Sequence, residues 1–516
     1  MDINNLRKKV GKLFIFGFKG KEVDDHVKKL IYEYNVGSLI LFSHNLGTKK
    51  EIKKLTDDIQ KEAKLAGYDR PILICIDQEN GLVNRLNDIN FYLPGAMSIG
   101  ATSSEEISED VGNLTAKYLR KLGINWNLAP VLDINTNPNN PGIGIRSFSD
   151  DPNLAKKLAY AFIKGHNKNN VLTTIKHFPG LGNTSVDPHF GLPVVNKNLE
   201  ELEEKELIPF KYAIENGVDS VMTSHVLFPN IKKDDYPVTM SKTFLTDILR
   251  DKMGFNGVVV TDCLEMDAIS KEYGVGNGAI NSFKAGADLI IVSHTPEEQY
   301  NAADALVKAI EDKEIELEDL DESISRINKL YEKIEKFYDA NDEEINFSKV
   351  EKYFINSVTL LKNESFVDKN QKVIALVPNN ERRQVGEKSD EKKQRYLADS
   401  VKDNIKNVEF IYYDKTNLKE KLELIYDIKD SNQIIFGLLS NELDENIENS
   451  INDIASSKEF YTIAMRDPYP NKVVYDISKS YINTYQASPI PIDIAVKSLV
   501  GKISPKGKLP VKLSFK

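Results

Sequence analysis

Residues 171–193 read VLTTIKHFPGLGNTSVDPHFGLP. A largely apolar run over 171–175 leads into Lys176 and His177, and a turn containing two glycines then leads to Asp187 and His189. A continuous apolar run, rather than an alternating one, is typical of a strand buried on both faces, as in a parallel sheet. The stretch therefore predicts a buried strand that ends in charged side chains, followed by a loop that carries a carboxylate beside an imidazole.

The same pattern of a short apolar run followed by a helical segment recurs along the first 300 residues. The eight runs cover residues 12–18, 38–42, 71–77, 124–133, 171–175, 220–226, 257–262 and 288–294. Strand–helix units repeated eight times over this length predict a (β/α)8 barrel of the TIM type. The fold class predicted for this part of the chain is therefore α/β.

Most of these runs end at, or just before, an ionisable side chain. The residues at these ends are His44, Asp77, Asp133, Lys176, His177, His225, Asp262 and His294. A single polar residue at a strand end means little, because every strand must leave the core somewhere. As a set they indicate an active site, since the carboxyl ends of barrel strands form the catalytic face.

A second α/β pattern begins after a polar, acidic segment, FYDANDEEIN at 337–346. The predicted organisation is a catalytic barrel over 1–337, a linker over 338–350, and an open α/β layered domain over 351–516. All seven histidines lie at or before position 294. Chemistry that depends on an imidazole is therefore expected in the first domain.

Composition excludes several classes of function. A net charge of −10 without a basic stripe argues against nucleic-acid binding, and no apolar run approaches the ~18–20 residues of a membrane span. The N-terminus has no cleavage-site pattern, so we expect a cytoplasmic protein with Cys75 and Cys263 reduced. No Cys/His spacing suggests a metal site, and we expect no cofactor. The sequence does not indicate an oligomeric state.

Asp187, His189 and Asp262 are the candidates for chemistry. A carboxylate two residues from an imidazole can fix its tautomer and favour proton donation near neutral pH, although the pair could also make only local turn contacts. Asp262 follows an apolar strand, where a partly desolvated carboxylate can act as a nucleophile, a metal ligand or the partner of a buried lysine.

Five further residues are the predicted lining of the mouth: Asp77, Arg85, Arg146, Lys176 and His177. Sugars need many directional donors and acceptors, and such a cluster supplies them. A phosphorylated substrate would also use arginine and lysine, but it calls for a glycine-rich loop at a helix start. Gly180 and Gly182 do not stand in that context, so we expect a small carbohydrate substrate.

Ordered motifs in the chain resemble those of glycoside hydrolase family 3, within it the β-N-acetylglucosaminidase branch. The motifs read IDQENGLVNRL at 76–86, NWNLAPVLDI at 125–134, IRSFSDDP at 145–152, KHFPGLGNTSVDPH at 176–189 and TDCLEM at 261–266. NSVTLLKN at 356–363 and GKISPKGKLPVKL at 501–513 resemble the edges of the family's second domain. The resemblance covers nearly the whole chain.

This resemblance implies a retaining exo-β-N-acetylglucosaminidase that acts on peptidoglycan fragments or chito-oligosaccharides. Asp262 would form the glycosyl-enzyme, and His189 would be the general acid/base, tuned by Asp187. This pairing is unusual because most retaining glycosidases use two carboxylates. The five predicted lining residues would hold the terminal N-acetylglucosamine.

Three residues depart from the family pattern: Leu181 stands where the family has a histidine, Asn80 where it has a glycine, and Leu82 where it has an arginine. Two alternatives remain open at this point. One is a phosphorylase that uses the same residues, because an imidazole, unlike a carboxylate, need not repel an incoming phosphate. The other is a non-catalytic sugar-binding barrel.

Overall fold

The computed structural model describes residues 2–184, 187, 191–231, 233–337, 344–381 and 393–516. Its first part is built on eight parallel strands. They are β1 (Phe14–Gly17), β2 (Ser38–Leu41), β3 (Leu73–Ile76), β6 (Trp126–Asn127), β7 (Leu172–Phe178), β8 (Ser220–Thr223), β9 (Val258–Cys263) and β10 (Leu289–Val292). A small hairpin, β4 (Gln78–Asn80) and β5 (Val83–Asn84), follows β3.

The eight strands close into a barrel in the order β1-β10-β9-β8-β7-β6-β3-β2. β1 pairs in parallel with both β2 and β10, which leaves no free edge. Helical structure lies between each barrel strand and the next barrel strand along the chain. The prediction of a (β/α)8 barrel is confirmed.

The strand predicted at 124–133 is much shorter in the structure than its apolar sequence suggests. Only Trp126 and Asn127 lie in β6, and the chain then continues irregularly past Pro130. A proline has no N–H to donate to a sheet ladder, so the strand cannot continue through it. The segment is held instead by its neighbour, because the backbone N–H of Leu132 donates to the carbonyl of Lys176 at 2.6 Å.

Helices surround the barrel and cover the outer faces of its strands. They are α1 (Ile3–Gly11), α2 (Asp25–Tyr32), α3 (Lys49–Leu65), α4 (Ala96–Thr102), α5 (Glu105–Lys121), α6 (Pro152–Asn167), α7 (Leu199–Glu204), α8 (Leu207–Glu215), a π-helix over Thr243–Lys252, α9 (Asp267–Ser270), α10 (Val275–Ala285), α11 (Pro296–Glu311) and α12 (Leu317–Ile334). Short 3-10 helices lie at Ser43–Asn45, Asn87–Ile89, Gly144–Arg146 and Val238–Met240.

The local sequence explains the start and the orientation of these helices, as α3 illustrates. The hydroxyl of Thr48 accepts from the backbone N–H of Glu51, and the Glu51 carboxylate accepts from the backbone N–H of Thr48, which forms a capping box. Ile52, Leu55 and Ile59 recur at helical spacing and are buried against the barrel. The remaining positions are mostly lysine and acidic residues that face solvent.

The second part of the chain is an α/β domain around one six-stranded sheet. Its elements are α13 (Val350–Ser357), β11 (Thr359–Asn363), β12 (Val373–Pro378), α14 (Tyr396–Asn404), β13 (Val408–Tyr413), α15 (Leu418–Asp427), β14 (Gln433–Leu438), α16 (Glu445–Ala455), β15 (Glu459–Ala464), α17 (Lys472–Ile477), β16 (Ser478–Asn483) and α18 (Pro489–Leu499). The strand order is β11-β16-β15-β14-β12-β13. A second α/β domain is thus confirmed, while the predicted boundaries at 337 and 351 stay predictions.

The two domains share one hydrophobic core and several buried hydrogen bonds. Gln486, just after β16, accepts from the backbone N–H of Gly95 at 2.9 Å and from the hydroxyl of Ser98 at 3.2 Å. Tyr469 is bonded to the side-chain amide of Asn135, whose nitrogen donates to the phenol at 2.9 Å. These contacts fix the second domain against the loops that follow β3 and β6. Among the described helices, none is both long and apolar enough to cross a membrane.

Candidate active site

A cavity of about 230 Å³ lies at the carboxyl-terminal mouth of the barrel. Seven of the eight residues predicted for the site line it: Asp77, Arg85, Arg146, Lys176, His177, Asp187 and Asp262. The eighth, His189, lies outside the described residues. The closed barrel explains this convergence, because it brings the carboxyl ends of strands that are far apart in sequence to one rim.

Strand β7 delivers Lys176 and His177 through an irregularity in its pairing. Ile175 is paired with Val221 and Phe178 with Thr223, so β7 has one residue more than β8 over this interval. Such a bulge re-aims side chains and is frequent next to active sites. The peptide between Lys176 and His177 is cis.

Lys176 is the centre of a buried ion network. Its ammonium group lies 2.6 Å from a carboxylate oxygen of Asp77 and 2.8 Å from one of Glu79, and only 2% of the side chain is exposed. Burial alone would lower the pKa of Lys176, but attraction to Asp77 and Glu79 outweighs it and raises the pKa. The lysine is therefore charged at neutral pH.

Glu79 connects this lysine to Arg146. The guanidinium of Arg146 donates two hydrogen bonds to the Glu79 carboxylate, at 2.9 and 2.7 Å, in the bidentate geometry that arginine favours. Burial would raise the pKa of Glu79, yet the attraction of Arg146 and Lys176 lowers it. A single buried carboxylate thus holds two cations of the mouth in fixed positions.

His177 is oriented by Asp133 at the end of the irregular segment after β6. The Nδ1 atom of His177 lies 2.7 Å from the Asp133 carboxylate, and the backbone N–H of His177 donates to the same oxygen at 3.2 Å. A carboxylate can only accept, so Nδ1 of His177 carries a proton and donates it, while Nε2 faces Arg146. That Nε2 atom lies 3.5 Å from Arg146.

Asp133 also fixes the start of the loop that follows β7. Its second carboxylate oxygen accepts from the backbone N–H of Leu181 at 2.6 Å. Gly182 packs so closely on the segment after β6 that a Cβ would lie 1.6 Å from the carbonyl oxygen of Ile134. Only glycine fits at this contact, so the first part of the loop is held tightly against the barrel rim.

Asp262 lies near the end of β9 at another irregular pairing. Val260 is paired with Leu289 and Cys263 with Ile291, so β9 also has one residue more than its neighbour here. The Asp262 carboxylate is half-buried and accepts from the backbone N–H of Cys263 at 2.8 Å. It lies at the rim on a different strand from Lys176, facing the same cavity.

Glu265 anchors the turn that follows Asp262. Its carboxylate accepts from the backbone N–H groups of His294 at 2.6 Å and Thr295 at 2.9 Å, just beyond β10. The turn is therefore tied to the next strand end. Cys263 also lines the cavity, and burial, reinforced by the negative charge of Glu265, raises the pKa of its thiol to about 12. This cysteine is protonated at neutral pH and is not a nucleophile.

Asp187 reaches the cavity from the loop after β7. A Cβ added to Gly142 would lie 3.7 Å from the Asp187 carboxylate, so the carboxylate packs against the backbone of the segment that carries Arg146. Arg146 in turn donates to the carbonyl of Gly142 at 2.9 Å. Asp187 is thus brought close to the segment that carries Arg146, one of the sugar-binding candidates.

The three departures from the family pattern have local explanations. Asn80 adopts a left-handed backbone, with φ of 66°, which asparagine tolerates better than most residues, so it can replace a glycine there. Leu82 packs beside a buried interdomain cluster that contains Ile145 and Tyr485. Leu181 lines the cavity and presents an apolar side chain where the family has an imidazole.

The other histidines at strand ends have separate environments. His225 is fully buried between the hydroxyl of Thr239, 2.8 Å from Nδ1, and the carbonyl of Cys263, 3.0 Å from Nε2. It therefore supports the end of β9. His44 bonds the carbonyl of Phe18 at 2.9 Å, whereas His294 lines the cavity.

Sequence reasoning missed Glu79 as a site residue and named Asp133 only as a strand end. Both are buried and bind site residues directly. Glu79 lies in the IDQENGLVNRL motif, two residues after Asp77, which is the signal that could have identified it. Nothing in the sequence alone pairs it with an arginine 67 residues away.

The arrangement can bind a polyhydroxylated ring and attack it with a carboxylate. The charged side chains of the ion network line the cavity and are fixed by bonds to one another without a ligand. Asp262 lines the same cavity from the end of a different strand. Over the described part of the chain, no group of three or more histidine, cysteine or acidic side chains is placed to hold a metal ion.

Comparison with known proteins finds relatives that match more than half of this chain. A β-hexosaminidase A from Pseudoalteromonas piscicida is 36% identical over 331 residues, which cover 60% of this chain and 55% of that protein. The chain thus spans about half the length of that relative. A β-hexosaminidase from Xylella fastidiosa strain M23 is 32% identical over 288 residues, covering 55% of this chain and 83% of that protein.

A solved structure matches the whole chain. The glycoside hydrolase family 3 β-N-acetylglucosaminidase from Paenibacillus sp. str. FPU-7 has a TM-score of 0.90 and 35% identity, covering 99% of both chains. The family model described as the glycosyl hydrolase family 3 N-terminal domain matches residues 5–330, well over half of the sequence. This chain belongs to glycosyl hydrolase family 3, as its motifs predict.

Proposed function

We propose that the protein is a retaining exo-β-N-acetylglucosaminidase that removes terminal β-linked N-acetylglucosamine from peptidoglycan fragments or chito-oligosaccharides. The observation that carries the proposal is the convergence of Asp262, Asp187 and the buried Lys176–Glu79–Arg146 network on one cavity. Similarity over the full length to a β-N-acetylglucosaminidase supports the choice of sugar.

The size of the cavity favours attack on a chain end. Its volume of about 230 Å³ lies below the ~300–1,000 Å³ of sites for larger ligands. A pocket of this size suits one sugar ring, whereas an enzyme that cleaves within a polymer needs an open groove. This volume supports the release of one terminal residue at a time.

In the proposed first step the Asp262 carboxylate attacks the anomeric carbon. A glycosyl–ester bond forms on Asp262 while the glycosidic bond breaks, and the leaving oxygen takes a proton from the general acid. In the second step water attacks the same carbon, gives its proton to the general base and releases Asp262. Two inversions at one carbon retain the β configuration.

His189 is the proposed acid/base, with Asp187 as its partner. The Asp187 carboxylate can accept from one ring nitrogen and stabilise the imidazolium, which leaves the other nitrogen to transfer the proton. The position of the Asp187 carboxylate, packed on Gly142 at the cavity, supports this role. An acid/base on a loop can take its place after the sugar has bound.

Asp77, Arg85, Arg146, Lys176 and His177 are the proposed sugar-binding residues. The bonds of Lys176 and Arg146 to carboxylates use two N–H groups of each, out of three in an ammonium and five in a guanidinium. The network orients these groups before binding, so little binding free energy is lost in ordering their side chains. We expect them to bind the hydroxyls of the terminal residue.

We expect the protein to hydrolyse aryl N-acetyl-β-glucosaminides at least ~10²-fold faster than the matching β-glucosides, because a polar site rejects a ligand that lacks its partner group. The assay measures aryl release with both substrates in phosphate buffer and identifies the sugar product. Free N-acetylglucosamine supports hydrolysis. Sugar 1-phosphate would establish a phosphorylase, and tight sugar binding without turnover would establish a non-catalytic barrel.

Substitution Asp262→Asn should lower kcat for an aryl N-acetyl-β-glucosaminide by ~10⁴-fold, since the amide cannot form the glycosyl-enzyme. Thermal unfolding should change little, because the amide oxygen can still accept from the Cys263 N–H. Asp312→Asn, at a surface pair with Lys308, is the matched control and should retain full activity. Near-wild-type turnover by Asp262→Asn would refute the nucleophile assignment.

For His189→Ala we expect a loss of ~10²–10⁴-fold on a substrate with a poor leaving group and a much smaller loss with 2,4-dinitrophenol, which needs no proton. Azide should accelerate the variant by attacking the glycosyl-enzyme, and the product should be the β-glycosyl azide. Full activity on the poor leaving group would rule out His189 as the acid.

Glu79→Gln should lower the free energy of unfolding by about 3 kcal/mol, because it removes the shared counter-charge of two buried cations. It should also raise KM for the aryl glycoside, since Arg146 and Lys176 lose their fixed positions. Chemical denaturation and steady-state kinetics measure the two effects.

Glu109→Gln provides the matched control for this substitution. Glu109 also pairs with two lysines, Lys164 at 2.9 Å and Lys168 at 2.5 Å, but on the surface between α5 and α6. Its substitution should cost less than about 1 kcal/mol and leave KM unchanged. Equal destabilisation by the two variants would contradict the role given to Glu79.

A further inference from the structure

The sheet of the second domain contains a point where the direction of winding reverses. β12 pairs in parallel with β13 on one side and with β14 on the other, and the chain visits β12, β13 and β14 in that order. From β12 the chain therefore first moves to the neighbouring position on one side, β13, and then crosses to the position on the other side of β12, β14. In open α/β sheets, the crevice outside the carboxyl ends of the strands at such a point is where ligands bind.

The helices on either side of this point confirm the reversal. Leu397 and Val401 of α14 belong to the core on one face of the sheet, together with Val373 and Val377 of β12. Leu422 of α15 belongs to the core on the other face. Helices α14 and α15 thus cover opposite faces of the sheet, which is the arrangement expected at such a point.

A cavity of about 390 Å³ lies at this place, within the size range of small-molecule sites. It is lined by the last residues of the three strands, Pro378, Tyr413 and Leu438, and by Leu418 and Ile447 from the neighbouring helices. These five residues are buried, so the floor of the cavity is apolar apart from one phenol. The phenol of Tyr413 donates to the carbonyl of Gly437 at 2.7 Å.

Among the described residues, the rim of the cavity is polar and carries three carboxylates and one lysine. Asp414, Glu442 and Asp444 stand there with Lys415, and all four are exposed. Asn379 bridges the floor and the rim, since its side-chain nitrogen donates to Asp414 at 3.1 Å. Glu442 is paired with Lys516 at 3.2 Å, and Asp444 caps α16. Asp414 is therefore the carboxylate that we expect a ligand above the floor to meet.

The site is not built for phosphate. The described residues that begin the turns after β12 and β14 are 379–381 and 439–441, and they contain none of the glycines that let a backbone cradle a phosphate. The N-terminus of α16, which would otherwise attract an anion, is occupied by the carboxylate of Asp444, which accepts from the backbone N–H of Ile447 at 3.0 Å. Nucleotides and sugar phosphates are therefore poor candidates.

We propose that this switch-point cavity between β12 and β14 is a second binding site, for a small molecule with an apolar body and a cationic group. The apolar body would cover Leu418, Leu438 and Ile447, and an ammonium group would reach Asp414 at the rim. The site is independent of the barrel cavity and of the proposed glycosidase activity, because none of the residues that the structure describes lines both cavities.

Calorimetric titration of the full chain with three indoles tests the proposal. Tryptamine, which is cationic, should bind saturably and about tenfold more tightly than indole-3-acetate, with N-acetyltryptamine between them; tenfold corresponds to ~1.4 kcal/mol. Asp414→Asn should reduce the preference for tryptamine several-fold. Absence of saturable binding, or equal binding of the anion, would overturn the proposal.

Two tryptophan variants locate the binding. Ser440→Trp places a large side chain at the rim and should abolish tryptamine binding, whereas Ser456→Trp, at the opposite end of α16, should leave it intact. Thermal unfolding and aryl-glycoside hydrolysis by the Ser440 variant should match the wild type, which shows that the fold and the barrel site are unaffected. Undiminished tryptamine binding by Ser440→Trp would place the ligand elsewhere and refute the assignment.

Discussion

The pairing of Lys176 with Asp77 and Glu79 is the interaction on which the barrel mouth depends. An ammonium group that is 2% exposed would be very costly alone, so the surrounding carboxylates must stay in place for the strand to end where it does. Through Glu79 the same network holds Arg146, and through the neighbouring His177 it meets Asp133. Four separate segments of chain are thereby fixed before any sugar binds.

The regular geometry of the barrel determines where the site lies, and local irregularities in two strands determine the direction of its side chains. Seven of the predicted residues reach one rim because parallel strands in a closed barrel all end on the same side. The final direction of the side chains depends on an extra residue in β7 at 176–177 and another in β9 at 261–262. Bulges at these two places turn side chains relative to a regular strand. Asp133 accepts from the backbone N–H of His177 in the first bulge, and Glu265 ties the turn after the second to the end of β10.

The second domain is more than a cover for the barrel. It shares a core with the barrel helices, and buried hydrogen bonds from Gln486 and Tyr469 fix it against the loops after β3 and β6. The small cluster beside Leu82 lies at this junction, so one of the three departures from the family pattern belongs to domain contact rather than to the barrel cavity. The strand order also gives this domain a crevice of its own, far along the sheet from its antiparallel edge strand β11.

The sequence by itself determined the α/β class, the eight strand–helix units, the second domain and the family, because buried parallel strands leave continuous apolar runs and the motifs stand in a fixed order. It also named seven of the residues that line one cavity. Only the tertiary structure decided that Glu79 and Asp133 hold these residues, that β6 stops before Pro130, and that His225 supports β9. Those facts depend on which distant side chains meet when the barrel closes, and on register shifts of a single residue, and neither leaves a periodic signal in the chain.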